Sequence, residues 1–474
     1  MAQLHELSAR QLLAGYQSGA FSPVEATQAV LAQIERWEPR LCATYLLRPQ
    51  AALEQARASE QRWRQGRPCG PLDGVPATLK DNIATAGDPL PLGTAASELT
   101  PASADAPPAA RLREAGAVLV AKTTMPDFGM LSSGLSSFHA LARNPWNLSK
   151  GPGGSSSGAG AAAAAGYGPL HVGTDIGGSL RLPASWCGIF TLKPSLGRIP
   201  IDPPYTGRAA GPMTRDVGDA ALMMQALARP DARDSMSLPP QPIAWDDCQA
   251  RPELLRGLRL GLLLEAGCGL PVQPEVRAAI EAAARLFEQA GAHIIPMRPF
   301  LTRAMLDGMD HFWRMRSCMD LRRLPAERQA LVLPFIRDWA MSAAAMSGPE
   351  VFEASQQFHA TRIATVQACA PVDYVLSPVA PITAFAAELP APTNDPLRPL
   401  EHIAFTVPYN MSEQPAASIN CGYASDGLPI GLQIAGARFD DLGVLRLAQA
   451  FEQLRPAQRP WPAPPDKEAK TTLP

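Results

Sequence analysis

The residues in this chain best suited to covalent chemistry are two glycine-cradled serines in the stretch from Gly151 to Lys193. Ser155 lies in GPGGSSSG and Ser179 in GTDIGGSLR, 24 residues further on. A serine hydroxyl is a weak nucleophile until a neighbouring base takes its proton. Neither loop has a histidine next to its serine, so the base must come from elsewhere in the chain. Lys80, at the end of the apolar run VPATLK and before Asp81-Asn82, is the candidate. A lysine free in water has a pKa of about 10.4, so this one can act as a base only if burial or a nearby cation lowers that value.

The glycines suit the same chemistry. After Thr174-Asp175 the chain runs through Ile176-Gly177-Gly178 into Ser179, and successive glycines let backbone N–H groups converge on a developing negative charge. Each segment alone also has a blander reading. The second serine loop fits an ordinary glycine turn, and Lys80 fits a solvated charge at a strand end. The GPGGSSSG run fits a flexible linker or a phosphate loop, but apolar elements follow at once and the Gly-Lys-Ser/Thr of a nucleotide-binding loop is missing.

Together the segments resemble the amidase signature family of serine hydrolases. The resemblance rests on GPLDGVPATLKDN at 70–82, RNPWNLSKGPGGSSSG at 143–158 and GTDIGGSLRLPASWCGIFTLKPS at 173–195. It continues through GPMTRDVGDAALMMQALA at 211–228 and FTVPYNMSEQPAASINCGYASDGLPIGLQIAGARFDD at 405–441. It implies Ser179 as the acyl-forming nucleophile, Ser155 as a bridging serine held in a cis peptide, and Lys80 as the base. It also implies the N–H groups of Ile176, Gly177, Gly178 and Ser179 as the oxyanion hole, and no metal or organic cofactor. Thr174, Asp175, Arg181 and Ser156 become supporting or substrate-binding candidates, as do Met130, Ser132 and Ser133 in a loop opposite the nucleophile. Arg181 has two readings: a contact to a substrate carboxylate, or a structural ion pair with Asp175, which is the simpler. The chain departs from the family pattern at Ser157, where glycine is usual, and in the run GIFTLK after Cys187.

Positioning such residues requires a large α/β framework. The 474 residues are 46% hydrophobic and 18% charged, enough to build one large core. Short apolar runs at 75–80, 117–122, 170–175 and 373–379 read as buried strands. Helical patterns fall at 106–115, 158–166, 216–228, 275–290 and 441–453. This alternation, with the resemblance, predicts an α/β/α sandwich: a large mixed, mostly parallel central sheet with helices on both faces. The chain reads as one domain over 1–454, with an N-terminal helical layer over 1–70, a signature core over 70–230 and variable, substrate-determining segments over 300–400. Ser22-Pro23-Val24-Glu25 reads as a capping box opening a helix through Trp37. The stretches 230–257 and 386–400 read as surface loops, and the Pro-rich tail 455–474 as poorly ordered.

A net charge of −2 gives no basic footprint for nucleic acid. No apolar run reaches the length of a membrane span, and the N-terminus lacks the apolar core of a signal peptide. The eight cysteines and seven histidines are scattered without metal-site spacing, and a cytoplasmic location is the expectation. The expected partner is a small-molecule amide; a homodimer stays open. The expected function is hydrolysis of the C–N bond of a small, aryl or apolar carboxylic amide. Alternatives are a carbamate or urea-type hydrolase, a glutamine-amidotransferase A-type subunit delivering ammonia to a partner, and a catalytically inactive binding protein. The segment DHFWRMRSCMD at 310–320 reads either as a helix packing its apolar face on the sheet or as part of a substrate pocket.

Overall fold

The computed structural model describes residues 3–248 and 252–465. Eleven strands form one sheet: β1 (Thr44–Leu47), β2 (Pro76–Lys80), β3 (Val118–Thr123), β4 (Leu170–Asp175), β5 (Phe190–Lys193), β6 (Ala209–Thr214), β7 (Arg259–Leu262), β8 (His293–Pro296), β9 (Tyr374–Pro378), β10 (Ala416–Tyr423) and β11 (Pro429–Ala435). Their order is β1-β3-β2-β4-β6-β5-β10-β11-β9-β7-β8.

The sheet is mixed, but it is not mostly parallel. Parallel pairing is confined to β3-β2-β4 and to β9-β7-β8. The six remaining pairings, which make up the middle of the sheet and the β1 edge, are antiparallel. The apolar runs that suggested buried strands occur equally in antiparallel strands covered on both faces: every position of β5, β6 and β11 is buried. Helices cover the sheet; Val217–Leu227 and Asp441–Leu454 bring Met224 and Phe451 to one core cluster with Leu79 and Val172. A second cluster joins Trp186 and Tyr409 to Trp313 and Trp339 of the variable segment.

Two elements explain how the serine loops are held. Helix Ser157–Ala165, sequence SGAGAAAAA, is buried at all nine positions. A helix apolar all round belongs in a core, and its small side chains allow close approach: a Cβ on Gly158 would lie 2.1 Å from Ala43 O. The hydroxyl of Ser157, the residue that departs from the family pattern, donates to Thr124 O at 3.2 Å. The parallel pairing of β2 with β4 sets Leu79 beside Val172, which brings the C-terminal ends of the two strands, Lys80 and Thr174-Asp175, to one edge of the sheet. Ligand sites of open α/β sheets form at such edges.

The N-terminal part forms helices at Ala9–Ser18, Pro23–Leu41 and Pro49–Arg64, and Ser22 and Glu25 make a capping box. It also contributes β1, whose four residues are too short and too exposed to show a strand period. Arg455–Pro465 is described, and Trp461 packs 6.1 Å from the Trp146 ring beneath the Arg215 guanidinium; the rest of the tail, 466–474, lies outside the described residues. Among the described residues no helix is long and apolar enough to cross a membrane.

Candidate active site

Lys80 is the last residue of β2 and is fully buried. Its Nζ lies 2.8 Å from Ser155 Oγ and 3.1 Å from Thr174 Oγ1. Thr174 Oγ1 also accepts a hydrogen bond from Asn82 Nδ2 at 3.1 Å. Burial pulls the Lys80 ammonium down to about 7, assisted by Arg208 and opposed by the carboxylates of Asp175 and Asp81. An amine in this range exchanges a proton readily near neutral pH. The Gly154–Ser155 peptide is cis. Gly154 admits no other residue, because a Cβ there would lie 2.7 Å from the backbone of Leu131 and Ser133.

Ser179 stands two residues ahead of helix Arg181–Cys187, as Ser155 stands two ahead of Ser157–Ala165. The two loops are tied together: Ser156 N–H donates to Ser179 O at 3.2 Å, and Ser156 Oγ donates to Thr174 O at 3.1 Å. Ser155 is nearly inaccessible whereas Ser179 is half-buried and lines a recess. One serine is therefore placed to receive a ligand and the other sits behind it, next to the lysine.

The glycine turn before Ser179 is held by Asp175. Its carboxylate accepts from Gly178 N–H at 2.8 Å and Leu180 N–H at 3.1 Å, and Thr406 Oγ1 donates to Gly177 O at 2.6 Å. A Cβ on Gly178, whose φ is +131°, would meet Thr406 Oγ1 at 2.6 Å. The expectation of four oxyanion-hole donors is corrected here. The Gly178 N–H is committed to Asp175 and is not free for a ligand.

Arg181 is also corrected as a substrate-contact candidate. It has no exposed surface, forks onto both oxygens of Asp175, and donates to Thr406 O, Gln433 Oε1 and Asn410 Oδ1 at 2.6–3.0 Å. With its donors committed, it has none to offer a ligand; it is the structural ion pair. Burial alone would raise the Asp175 pKa, but Arg181, Lys193 and the Asn410 amide outweigh it and hold the carboxyl well below its ordinary value.

Opposite Ser179, the recess is walled by Met130, Ser132, Trp313, Arg316, Leu400 and Ile403. Ser133 is buried, and its hydroxyl accepts from Leu135 N–H, so it does not join that wall. Helix Arg303–Arg322 does both jobs left open by its sequence: Trp313 packs into the core while Trp313 and Arg316 face the recess. The spacing of those two residues, one helical turn apart, is the only sequence signal that could have picked them out. Beside the recess lies a cavity of about 580 Å³, lined by Asn82, Thr174, Phe128, Tyr205, Arg208 and Arg316 among others. Arg316 belongs to both walls. Asn82, Thr406 and Asn410 stand inside the signature blocks but have ordinary residue types, and only the fold reveals their work. Among the described residues no cluster of three or more His, Cys, Asp or Glu side chains could hold a metal.

The amidase family model matches residues 25–445 of this chain. The A subunit of the glutamyl-tRNA(Gln) amidotransferase of Myxococcus xanthus is 35% identical, over 95% of this chain and 98% of its own length. Among solved structures, a bacterial aryl acylamidase of the amidase signature family superposes with a TM-score of 0.88 at 29% identity, covering 96% and 97% of the two chains. A 6-aminohexanoate cyclic dimer hydrolase bound to its substrate superposes with a TM-score of 0.84 at 26% identity, covering 96% and 98%.

Proposed function

We propose, since this chain belongs to the amidase signature family, that it hydrolyses the C–N bond of a linear carboxylic amide with an aryl or apolar body through an acyl-enzyme on Ser179. The observation that carries the reading is the buried Lys80 Nζ, 2.8 Å from Ser155 Oγ, behind a recess that Ser179 lines. Neutral Lys80 takes the Ser155 proton, Ser155 takes the Ser179 proton, and Ser179 Oγ bonds to the amide carbonyl carbon. The N–H groups of Ile176, Gly177 and Ser179 receive the oxyanion. Collapse of the tetrahedral adduct breaks the C–N bond while the relay returns the proton to the leaving nitrogen. Water then attacks the ester by the same relay, releasing the carboxylic acid and restoring the Ser179 hydroxyl.

The apolar character of the acceptor follows from Met130, Leu182, Trp313, Leu400 and Ile403 around Ser179, since pockets of this make-up bind by burying apolar surface. A second reading, favoured by the identity to the Myxococcus protein, is release of ammonia from glutamine for a partner protein. Against it, among the described residues the wall of the Ser179 recess holds one cation, Arg316, and no carboxylate to meet the ammonium of glutamine, the acids Asp202 and Asp320 standing only in the adjoining cavity. The test is turnover of primary amides, anilides, carbamates and glutamine by the purified chain alone and with an amidotransferase partner added. Hydrolysis of anilides or apolar primary amides by the chain alone supports the first reading. Activity on glutamine only, and only with the partner, overturns it in favour of the second.

A further inference from the structure

The cavity beside Ser179 contains two arginines that the hydrolytic relay does not use. Arg208 and Arg316 both lie over the Tyr205 ring, their guanidinium carbons 5.7 and 5.0 Å from its centroid. Arg316 donates to Met130 Sδ at 3.1 Å, a weak acceptor, and its Nε is buried without a hydrogen-bond partner. Arg208 donates to Pro203 O. Among the described residues neither guanidinium has a carboxylate within salt-bridge distance, whereas Arg303, Arg314 and Arg323, on or at the end of the helix that carries Arg316, each pair with one. The carboxylates on the cavity wall are Asp202 and Asp320, and Asp320 is engaged by Arg323. Asp234, which also acts on Arg208, is occupied by the N–H groups of Ile201 and Met236. Burial first and then Arg316 pull the Arg208 pKa down, while Tyr205 and Asp234 oppose them.

Two guanidinium groups without a carboxylate partner, in a half-buried cavity of mixed lining, form a site for a planar anion, because each fork can donate two parallel N–H bonds to a carboxylate. Arg316 also walls the Ser179 recess, so an anion seated there belongs to a molecule whose amide reaches Ser179. We propose that the preferred substrates are anionic amides, in which the group attached to one side of the scissile C–N bond ends in a carboxylate held by Arg208 and Arg316. This rests on the amide-hydrolysis reading above.

The probes are 4-acetamidobenzoate, with its carboxylate on the amine side, succinanilate, with its carboxylate on the acyl side, and acetanilide as the neutral reference. One of the two carboxylates is expected to exceed acetanilide in kcat/KM by about tenfold or more, mainly through KM. Arg316→Gln and Arg208→Gln should each shrink that ratio, and Arg316→Lys should restore part of it. Wild-type ratios at or below one for both carboxylates, or a ratio unchanged in both Gln variants, would overturn the proposal. A readout independent of turnover is calorimetric binding of the same three compounds to the Ser179→Ala protein. Failure to hydrolyse any of them in any assay counts against the hydrolysis reading. Binding that ranks a carboxylate above acetanilide by about tenfold still supports the arginine site, and equal binding of all three overturns it.

Discussion

The two walls that meet at Ser179 are built on opposite terms. On the signature wall, the groups that hold the Ser179 turn are bonded to one another: Ser156 is tied to Thr174, Gly178 and Leu180 to Asp175, and Asp175 to Arg181. On the opposite wall, made by helix Arg303–Arg322 and the loops beside it, Trp313 Nε1 and Arg316 Nε are buried without partners, and Ser132 apart the remaining lining, Met130, Leu400 and Ile403, is apolar. A wall bound into such a network fixes geometry, which transition-state chemistry requires. A wall with open donors and apolar surface recognises whatever completes it. On the proposed reading, turnover belongs to one side and substrate choice to the other.

The largest effect that would break this division lies on the signature wall. Ser179→Ala is expected to lower kcat for an accepted amide by on the order of 10⁶, and to abolish labelling by a fluorophosphonate. Lys80→Ala and Ser155→Ala should cost about 10²–10⁴ through loss of proton transfer. Near-wild-type turnover by any of the three would remove the relay from the site. Next comes Arg181→Met, which strands the Asp175 carboxylate in a fully buried position. Removing one partner of such a pair costs about 3–5 kcal/mol, to be read as a lower urea midpoint. A loss under about 1 kcal/mol would mean that the network is not what holds the Ser179 turn.

The same division explains what could be read from the chain alone. Lys80, Ser155 and Ser179 stand in blocks dense with glycine and short polar residues, where composition and chemistry coincide. The helices at Pro23–Leu41, Pro107–Glu114 and Val217–Leu227 were legible because caps and 3.6-residue spacing are local. The antiparallel middle of the sheet was not, because strand direction depends on pairing partners far away: β5 lies between β6 and β10, more than 200 residues further along the chain. The commitment of Gly178 N–H to Asp175 and the enclosure of Arg181 by Asn410 and Gln433 are also long-range facts. Arg316 differs from its paired neighbour Arg314 only by which face of one helix it occupies.

A smaller effect sharpens the claim that position, and not burial, makes the base. Lys193 is as buried as Lys80 and also drawn down to about 7, by burial first and then by Arg181, yet among the described residues its Nζ hydrogen-bonds only to Pro194 O. The rate should follow Lys80 alone. With Lys80 neutral above its pKa, log kcat/KM is expected to climb about one unit per pH unit below about 7 and to level off above it. Lys193→Met should leave that profile in place and act on stability. A lysine with a folded pKa of about 7 and an unfolded value of about 10.4 binds its proton only in the unfolded state between those limits, so its contribution to stability grows as pH rises through that window. Urea unfolding at about pH 8 and about pH 10 should therefore show a shallower pH dependence in Lys193→Met than in the wild type. A rate profile displaced by Lys193→Met would break the distinction between the two lysines.

The smallest expected effect tests the recognising wall directly. Met130 faces Ser179 across the recess and touches Arg316 through its sulfur, but no bond connects it to Lys80, Ser155 or Thr174. Truncation in Met130→Ala takes apolar contact from the bound amide before and during reaction alike, so ground state and transition state lose it together. The outcome expected is a rise of about three- to tenfold in KM with kcat within about twofold, measured by steady-state kinetics on an anilide. A fall in kcat comparable to that of Lys80→Ala would mean that this wall also sets the reacting geometry, and the separation of chemistry from recognition at Ser179 would fail.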